Sequence, residues 1–587
     1  MDLGDVSLAC AAALIDGLVA GGVTDATVSP GSRSTPLALA LDRDPHVRVH
    51  VQIDERSAGF FATGVAKASG RPVIVATTSG TAAAELLPSV VEASQARVPL
   101  VLLTADRPPR VRGTGANQTI VQPGLFGTYV AASLDLPVPA AAGQEAWWRQ
   151  AAREAVEAMS SDPIGPVHLN CPFDEPLTPS TDAAAPAGTD EAVGAAQRPE
   201  ANLDPSEVER LVDLVSGARG AIVVGGLPRS ISVDVERWSS TLGWPIVAEP
   251  TSGLRRPGVA LAAGQSLLTS PWIERRTPEV VIQLGATPTT RATQAFVTST
   301  DRLVVADRWH LDPDPDRRAW WRLAVDPDAL TDALATHPLV EAGIALTDGP
   351  SREDVGDRWA DRIPTAPSEW TEAWRTADAT ARAVMDEVLD AREEPFEPRI
   401  ARDVAAWIPD DGLLFVGNSS PIRDLDLAMA PRGDLTVLAN RGASGIDGLV
   451  STALGVAAAR RGPTVALLGD LSFLHDAGAI LWNGRRDVDL TVVVINNTGG
   501  RVFSLLPQRE LPEHERLFVT PHEVDIGGVC AAAGAGHERV ERASNLPPAL
   551  DRAAEGGGVR VVEVDVDPEL GLRRRSELRD GVASALS

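Results

Sequence analysis

Two loops hold the residues best suited to chemistry. One is Gly469-Asp470-Leu471-Ser472, which follows the apolar run PTVALL; the other is Asn496-Asn497-Thr498-Gly499-Gly500, which follows LTVVVI. The intervening LHDAGAILWNGRR reads as a helix, so the segment is strand, helix, strand, and a crossover of that length makes the two strands parallel. Both loops then open on the same edge of the sheet, where open α/β sheets bind ligands. That edge offers a carboxylate, an amide oxygen and backbone carbonyls freed by glycine. These are the hard oxygen donors that Mg²⁺ prefers, and a cation holding a diphosphate is the chemistry they fit. Either loop alone is ordinary turn chemistry; their pairing on one edge carries the reading.

The elements that must position these loops are legible as alternating runs. Up to about residue 177, the strand-like VRVHVQI, PVIVATT and VPLVLLT alternate with the helix-like SAGFFATGVAKAS and TAAAELLPSVVEAS, the signature of a doubly wound parallel sheet. A first domain is expected over 1–180. The stretch 181–203, rich in Ala, Pro, Gly and acid, reads as a linker. A second domain, 204–345, opens with Asp204-Pro205, an N-cap followed by proline at the first helical position, and has the strands GAIVVGG, WPIVAEP, EVVIQLG and RLVVAD. It lacks a GxGxxG fingerprint, so a structural role is expected there. A helical connector over 346–395 leads to a third domain, 396–587, which alternates again through GLLFVGNSS, LTVLANRGASG, PTVALLGD, LTVVVINN and VRVVEVDVD. The fold class expected is α/β, with three doubly wound parallel-sheet domains.

Composition narrows the partners. The chain has 587 residues, 44% of them hydrophobic, and a formal net charge of −27. Lys67 is its sole lysine. Such acidity disfavours nucleic acid and anionic membrane surfaces as partners; it fits either a saline host or plain solubility. Three scattered cysteines, Cys10, Cys171 and Cys530, argue for a reducing compartment, and the cytoplasm is expected. The N-terminus has no basic n-region and carries Asp5 and Asp16, so it reads as an amphipathic helix and not a signal peptide. No apolar stretch of about 18 residues is expected to span a membrane.

The GD…NN pair resembles the signature of thiamine-diphosphate enzymes, with Leu471 in place of the commoner glycine. Eight blocks in order widen the resemblance to nearly the whole chain: SPGSRSTPLALAL, IDERSAGFFATGVAKASGRP, TTSGTAAAELLP, TADRPPRVRGTGANQT, GNSSPIRDLD, NRGASGIDGLVSTALG, LLGDLSFLHD and NNTGGRVFSLLPQ. Together they resemble the 2-succinyl-5-enolpyruvyl-6-hydroxy-3-cyclohexene-1-carboxylate synthases of menaquinone biosynthesis. This implies a thiamine diphosphate cofactor with Mg²⁺ (or Mn²⁺), decarboxylation of 2-oxoglutarate, and Stetter-like 1,4-addition of the product carbanion to isochorismate.

The resemblance also assigns roles. Asp470, Asn497 and the carbonyl of Gly499 would hold the metal. Glu55 would hydrogen-bond the ring nitrogen N1′ of the aminopyrimidine, and by position alone it is an acid in a first helical turn. Ser419 and Ser472 would contact the cofactor, and Ile446 would prop its V-shape. Arg33, Arg107, Arg423 and Arg441, in loops at expected strand ends, suit bidentate binding of dicarboxylates. Ser32, Asn117 and Gln118 would add hydrogen bonds to substrate, Phe503 and Leu506 an apolar wall, and Arg291 a contribution from the middle domain. His475 beside the metal loop is read as structural. Glutamate and metal loops would come from different subunits of a homodimer or a dimer of dimers. Two rivals are another carboligase of the acetohydroxyacid synthase type, which uses pyruvate and often FAD, and a non-catalytic regulatory subunit of the same fold.

Overall fold

Runs of Val, Ile, Leu and Ala without polar alternation form the central strands, because a parallel sheet is covered by helices on both faces. In the computed structural model the described residues are 2–180, 203–227, 233–308, 313–325, 330, 366–460, 462–483 and 488–587. The expected linker and the first half of the connector fall almost wholly outside them.

The first sheet contains β1 (Asp25–Val28), β2 (Arg48–Val51), β3 (Val73–Thr77), β4 (Leu100–Asp106), β5 (Ala132–Asp135) and β6 (Val167–Pro172), in the order β2-β1-β3-β4-β6-β5. The second contains β7 (Gly220–Val224), β8 (Ile246–Ala248), β9 (Val280–Leu284), β10 (Leu303–Ala306) and β11 (Trp321–Leu323), in the order β11-β10-β9-β7-β8. The third contains β12 (Leu413–Val416), β13 (Thr436–Leu438), β14 (Thr464–Gly469), β15 (Leu490–Asn496), β16 (Gly536–Val540) and β17 (Val559–Asp565), in the order β13-β12-β14-β15-β17-β16. Strand pairing is parallel throughout, and the outer sheets share one winding order. The three-domain α/β expectation holds.

The first and third domains pack on each other within the chain. Helix Glu55–Ser69 lies against helix Leu449–Ala459 so closely that a Cβ at Gly64 would sit 2.0 Å from the carbonyl oxygen of Thr452, and one at Gly455 would sit 2.0 Å from that of Phe61. Only glycine lets two helix backbones approach in this way. Around that crossing Phe61, Val65, Val90 and Phe126 join Leu449, Leu454, Phe473 and Ile480 in one continuous apolar core.

Three expectations need correction. The helix read over 81–94 is two, Thr81–Ala84 and Leu87–Gln95, because Pro88 lacks an N–H and its ring crowds the preceding turn. The N-terminal helix Leu3–Ala20 is not amphipathic. It packs between helices Thr35–Arg43 and Glu145–Ser160, with Val6, Leu8, Leu14, Ile15 and Leu18 buried. Against the expectation of no long apolar stretch, this helix is long and apolar enough to cross a membrane by composition, yet 61% of it is buried inside the fold. Its hydrophobicity is that of a core helix.

Candidate cofactor and substrate site

The carboxyl ends of β14 and β15 do open side by side. Asp470 begins the short helix Asp470–His475 and is buried; its Oδ1 accepts from the Leu471 N–H at 2.6 Å and its Oδ2 from the Gly499 N–H at 2.8 Å. Gly499 stands at φ +133°, and a Cβ there would meet the Val519 carbonyl oxygen at 2.4 Å, so the turn that turns its N–H onto Asp470 requires glycine. Its own carbonyl accepts from the Arg501 N–H at 2.9 Å, which leaves a second lone pair. Asn497 is buried too. Its Nδ2 donates to Glu397 Oε1 at 3.0 Å, and its Oδ1 accepts no hydrogen bond from the described residues.

A cavity collects Ser419, Ile446, Asp470, Ser472, Asn497, Gly499 and Phe503. The donor set suits a divalent cation: a buried carboxylate, a free amide oxygen and a carbonyl with a spare lone pair. Burial pushes Asp470 above the usual carboxylate range, and a bound cation would reverse that cost. Ile446 is 37% exposed among the residues lining this cavity, unusual for an isoleucine. Ser419, at φ 69° and ψ −120°, holds a sparsely populated conformation for a side-chain-bearing residue just before helix Ser420–Ala428; strain of this kind clusters at functional sites. Leu506 lies one turn beyond Phe503 and does not line the cavity.

The four expected arginines form two pairs. At the carboxyl edge of the first sheet, Arg33 Nη1 donates to the Phe173 carbonyl at 3.0 Å, and its buried Nε has no hydrogen-bond partner among the described residues. Arg107 donates to Ser79 Oγ and, at 3.0 Å, to the Gln118 carbonyl. Partial burial, and next the charge of Arg33, hold Arg107 below the ordinary arginine value. Gln118 also donates to the Ser79 carbonyl at 2.9 Å, while Ser32 and Asn117 are exposed on the same edge. In the third domain Arg423 donates to the Ser419 carbonyl, and Arg441 donates to Asn418 Oδ1 at 3.1 Å. Burial lowers Arg441, as does Arg423, against the opposing pull of Glu249 from the middle domain. Like charges held together this way make ready sites for anions.

Glu55 and Arg291 stand apart from the cavity, as do Leu506 and the first-domain Ser32, Arg33, Arg107, Asn117 and Gln118. Glu55 opens its helix beneath the N-cap Asp54, whose Oδ1 accepts from the Ser57 N–H at 3.0 Å. Desolvation raises its carboxyl above the usual value, and among the described residues its one hydrogen-bond partner is its own N–H. The neighbouring Arg56 reaches the His475 carbonyl at 3.3 Å and Asp476 at 3.5 Å, but Glu55 is not among the residues lining the Asp470 cavity, all of which lie at 397 or beyond. Arg291 begins helix Arg291–Val297, exposed and with no hydrogen bond or ion pair to a described residue. His475 takes no part in the cavity.

Sequence reasoning missed four participants. Asn418 donates to the carbonyls of Asn440 and Gly445, both at 2.7 Å, and so closes the loop bearing Arg441 and Ile446. It stands in the GNSS block, where its neighbour alone was singled out. Ser79 stands within the block TTSGTAAAELLP, while Glu397 and His522, whose Nε2 lies 3.3 Å from Asp470 Oδ2, reach the site from segments with no local signal.

Comparison with known proteins agrees with this geometry. Residues 9–125 match the N-terminal binding domain of thiamine pyrophosphate enzymes, 196–331 their middle domain and 427–564 their C-terminal binding domain. A 2-succinyl-5-enolpyruvyl-6-hydroxy-3-cyclohexene-1-carboxylate synthase of Thermobifida fusca is 42% identical over 99% of both chains. The chain belongs to this synthase family. Synthases of the same name from Chloroflexus aurantiacus, 41% identical over 94% of this chain and 92% of theirs, and from Haloarcula marismortui, 37% identical over 99% of both, span the same three domains. This synthase-family chain carries all three thiamine pyrophosphate enzyme domains, and the acetohydroxyacid synthase-like and non-catalytic readings are not favoured.

Proposed function

We propose that the chain decarboxylates 2-oxoglutarate and joins the four-carbon remainder to isochorismate by 1,4-addition, releasing CO₂, in menaquinone biosynthesis. The observation that carries this is the cavity in which a buried Asp470 and the free amide oxygen of Asn497 converge beneath Ile446, beside the Arg423–Arg441 pair. Asp470, Asn497 and the Gly499 carbonyl would hold Mg²⁺ or Mn²⁺, and Ser419, Ser472 and Ile446 would seat thiamine diphosphate. When bound, the cofactor supplies the electron sink that decarboxylation of a 2-oxo acid needs.

Each remaining role belongs to this chain's side chains. Arg33 and Arg107 on one edge, and Arg423 and Arg441 on the other, bind substrate carboxylates through forked N–H groups. The net charge of −27 repels dianions at long range, but screening beyond about 8 Å leaves the local arginines in command. Ser32, Asn117 and Gln118 would add hydrogen bonds, and Phe503 would exclude water from the cavity. Glu55 would hydrogen-bond the ring nitrogen N1′ through its carboxyl oxygen and exchange a proton with it. Since Glu55 does not line its own chain's cavity, a second copy supplies it, and the unit is a homodimer or a dimer of dimers in the cytoplasm. The domain limits at 1–180, 204–345 and 396–587 form part of the same reading.

Mass analysis of the product made from 2-oxoglutarate and isochorismate, with pyruvate as the competing donor, tests the proposal. The adduct of 2-oxoglutarate supports it; an adduct of pyruvate moves the chain to the acetohydroxyacid synthase type.

A further inference from the structure

A primary amide offers a metal either an oxygen that binds or an NH₂ that repels, and the two ends are nearly identical in shape. Something must decide which end of Asn497 faces the cation. The geometry points to Glu397 as that residue, with Arg575 of the last helix holding Glu397 in register. This inference rests on the metal site proposed above.

Glu397 begins helix Glu397–Trp407, one hundred residues before Asn497 in sequence, and is 5% exposed. An ionised carboxylate only accepts hydrogen bonds, so its Oε1, 3.0 Å from Asn497 Nδ2, must face the NH₂ end of the amide. Oδ1 is thereby the end left for a metal. Both residues line the cavity that contains Asp470.

The other carboxylate oxygen accepts no hydrogen bond from the described residues and is held by charge and packing instead. Glu397 Oε2 lies 3.3 Å from Arg575 Nη2, and a Cβ at Gly571 would come within 2.8 Å of it, so the carboxylate is wedged against helix Pro568–Ala585. Arg575 is itself fixed, donating through Nη2 to Asp424 Oδ2 at 2.9 Å and through Nη1 to Oδ1. One guanidinium thus faces two buried carboxylates, which fixes the position of Glu397 behind the Asn497 amide. Glu397 acts as a positioning residue, working through the Asn497 amide. The last helix, remote from the motifs that mark the site, becomes part of it.

The test is direct metal titration of apo protein containing thiamine diphosphate, with Mn²⁺ followed by electron paramagnetic resonance and Mg²⁺ by calorimetry. Glu397→Gln presents an amide that can pair with either end of Asn497. Loss of such outer partners weakens metal binding by about 10- to 100-fold, and that loss is expected here. Thermal unfolding without metal should match the parent. The exchange Glu397→Gln with Asn497→Asp reverses donor and acceptor and should bind more tightly than Asn497→Asp alone. Equal affinity in the parent and Glu397→Gln, or no recovery in the exchange, overturns the inference. A parent that binds no metal overturns the proposed site itself. Should Glu397→Gln fail to fold, Arg575→Lys keeps the charge but loses the fork; unchanged metal affinity there also overturns the inference.

Discussion

Lys67 and Glu92 form a buried ion pair, 3.2 Å apart, that binds the first domain to the third. The ammonium of Lys67 also donates to the Ala439 carbonyl and to Asn440 Oδ1, both at 2.8 Å. Glu92 accepts from the N–H groups of Gly442 at 3.0 Å and Ala443 at 2.7 Å. Arg441 sits inside that span and Ile446 just beyond it, so the only lysine in the chain anchors the loop that bears both.

Removing one member leaves the other charge buried and alone. Lys67→Met is expected to cost about 3–5 kcal/mol of stability, measurable by urea unfolding. A loss below about 1 kcal/mol would mean that water reaches the pair and that the loop does not depend on it.

The Arg33–Arg107 pair predicts a binding effect. Arg107→Lys keeps the charge but loses the planar guanidinium, whose Nη1 donates to both Ser79 Oγ and the Gln118 carbonyl. KM for the carboxylate substrate it serves should rise about tenfold, or about 1.4 kcal/mol, with a smaller change in kcat. Steady-state kinetics with each substrate varied in turn will show which one that is.

Glu55→Gln should lower turnover by about 10²- to 10⁴-fold, the range for a lost acid–base group, while cofactor binding, followed by calorimetry, largely survives. Retained turnover would remove Glu55 from the mechanism.

Acid sensitivity has a defined source in His168. It is buried on β6 against Thr104 Oγ1 at 2.7 Å and Ser133 Oγ at 3.2 Å, and desolvation pulls its pKa down to about 4. The folded state therefore resists a proton that the unfolded state accepts near pH 6.5. Its stabilisation is complete above that value and is lost as pH falls from about 6.5 to about 4, a window worth on the order of 3 kcal/mol. His168→Gln should flatten the stability profile across that window. An unchanged slope would assign acid sensitivity to other groups.

How much was legible follows from where each signal lies. β3, β4, β7, β9, β14 and β15 are continuous apolar runs ending in glycine or polar residues, and such runs announce buried parallel strands. Asp470 and Asn497 are readable because each directly follows the end of one of those strands. β11, only Trp321–Leu323, has too few residues to establish a pattern, and the N-terminal helix hides its all-round burial because Asp5 and Asp16 mimic a polar face. Glu397 and His522 gain their meaning from tertiary contact alone. Glu55 was readable by motif, yet that it does not line the Asp470 cavity of its own chain emerges only from the folded chain.

CO₂ release from 2-oxoglutarate by the purified protein with thiamine diphosphate and Mg²⁺, measured with and without isochorismate while isochorismate absorbance is followed, is the most direct measurement. Release that depends on both substrates, with isochorismate lost mole for mole, is the expected result. Equal or faster release from pyruvate, or bound cofactor with no release from any 2-oxo acid, would contradict it.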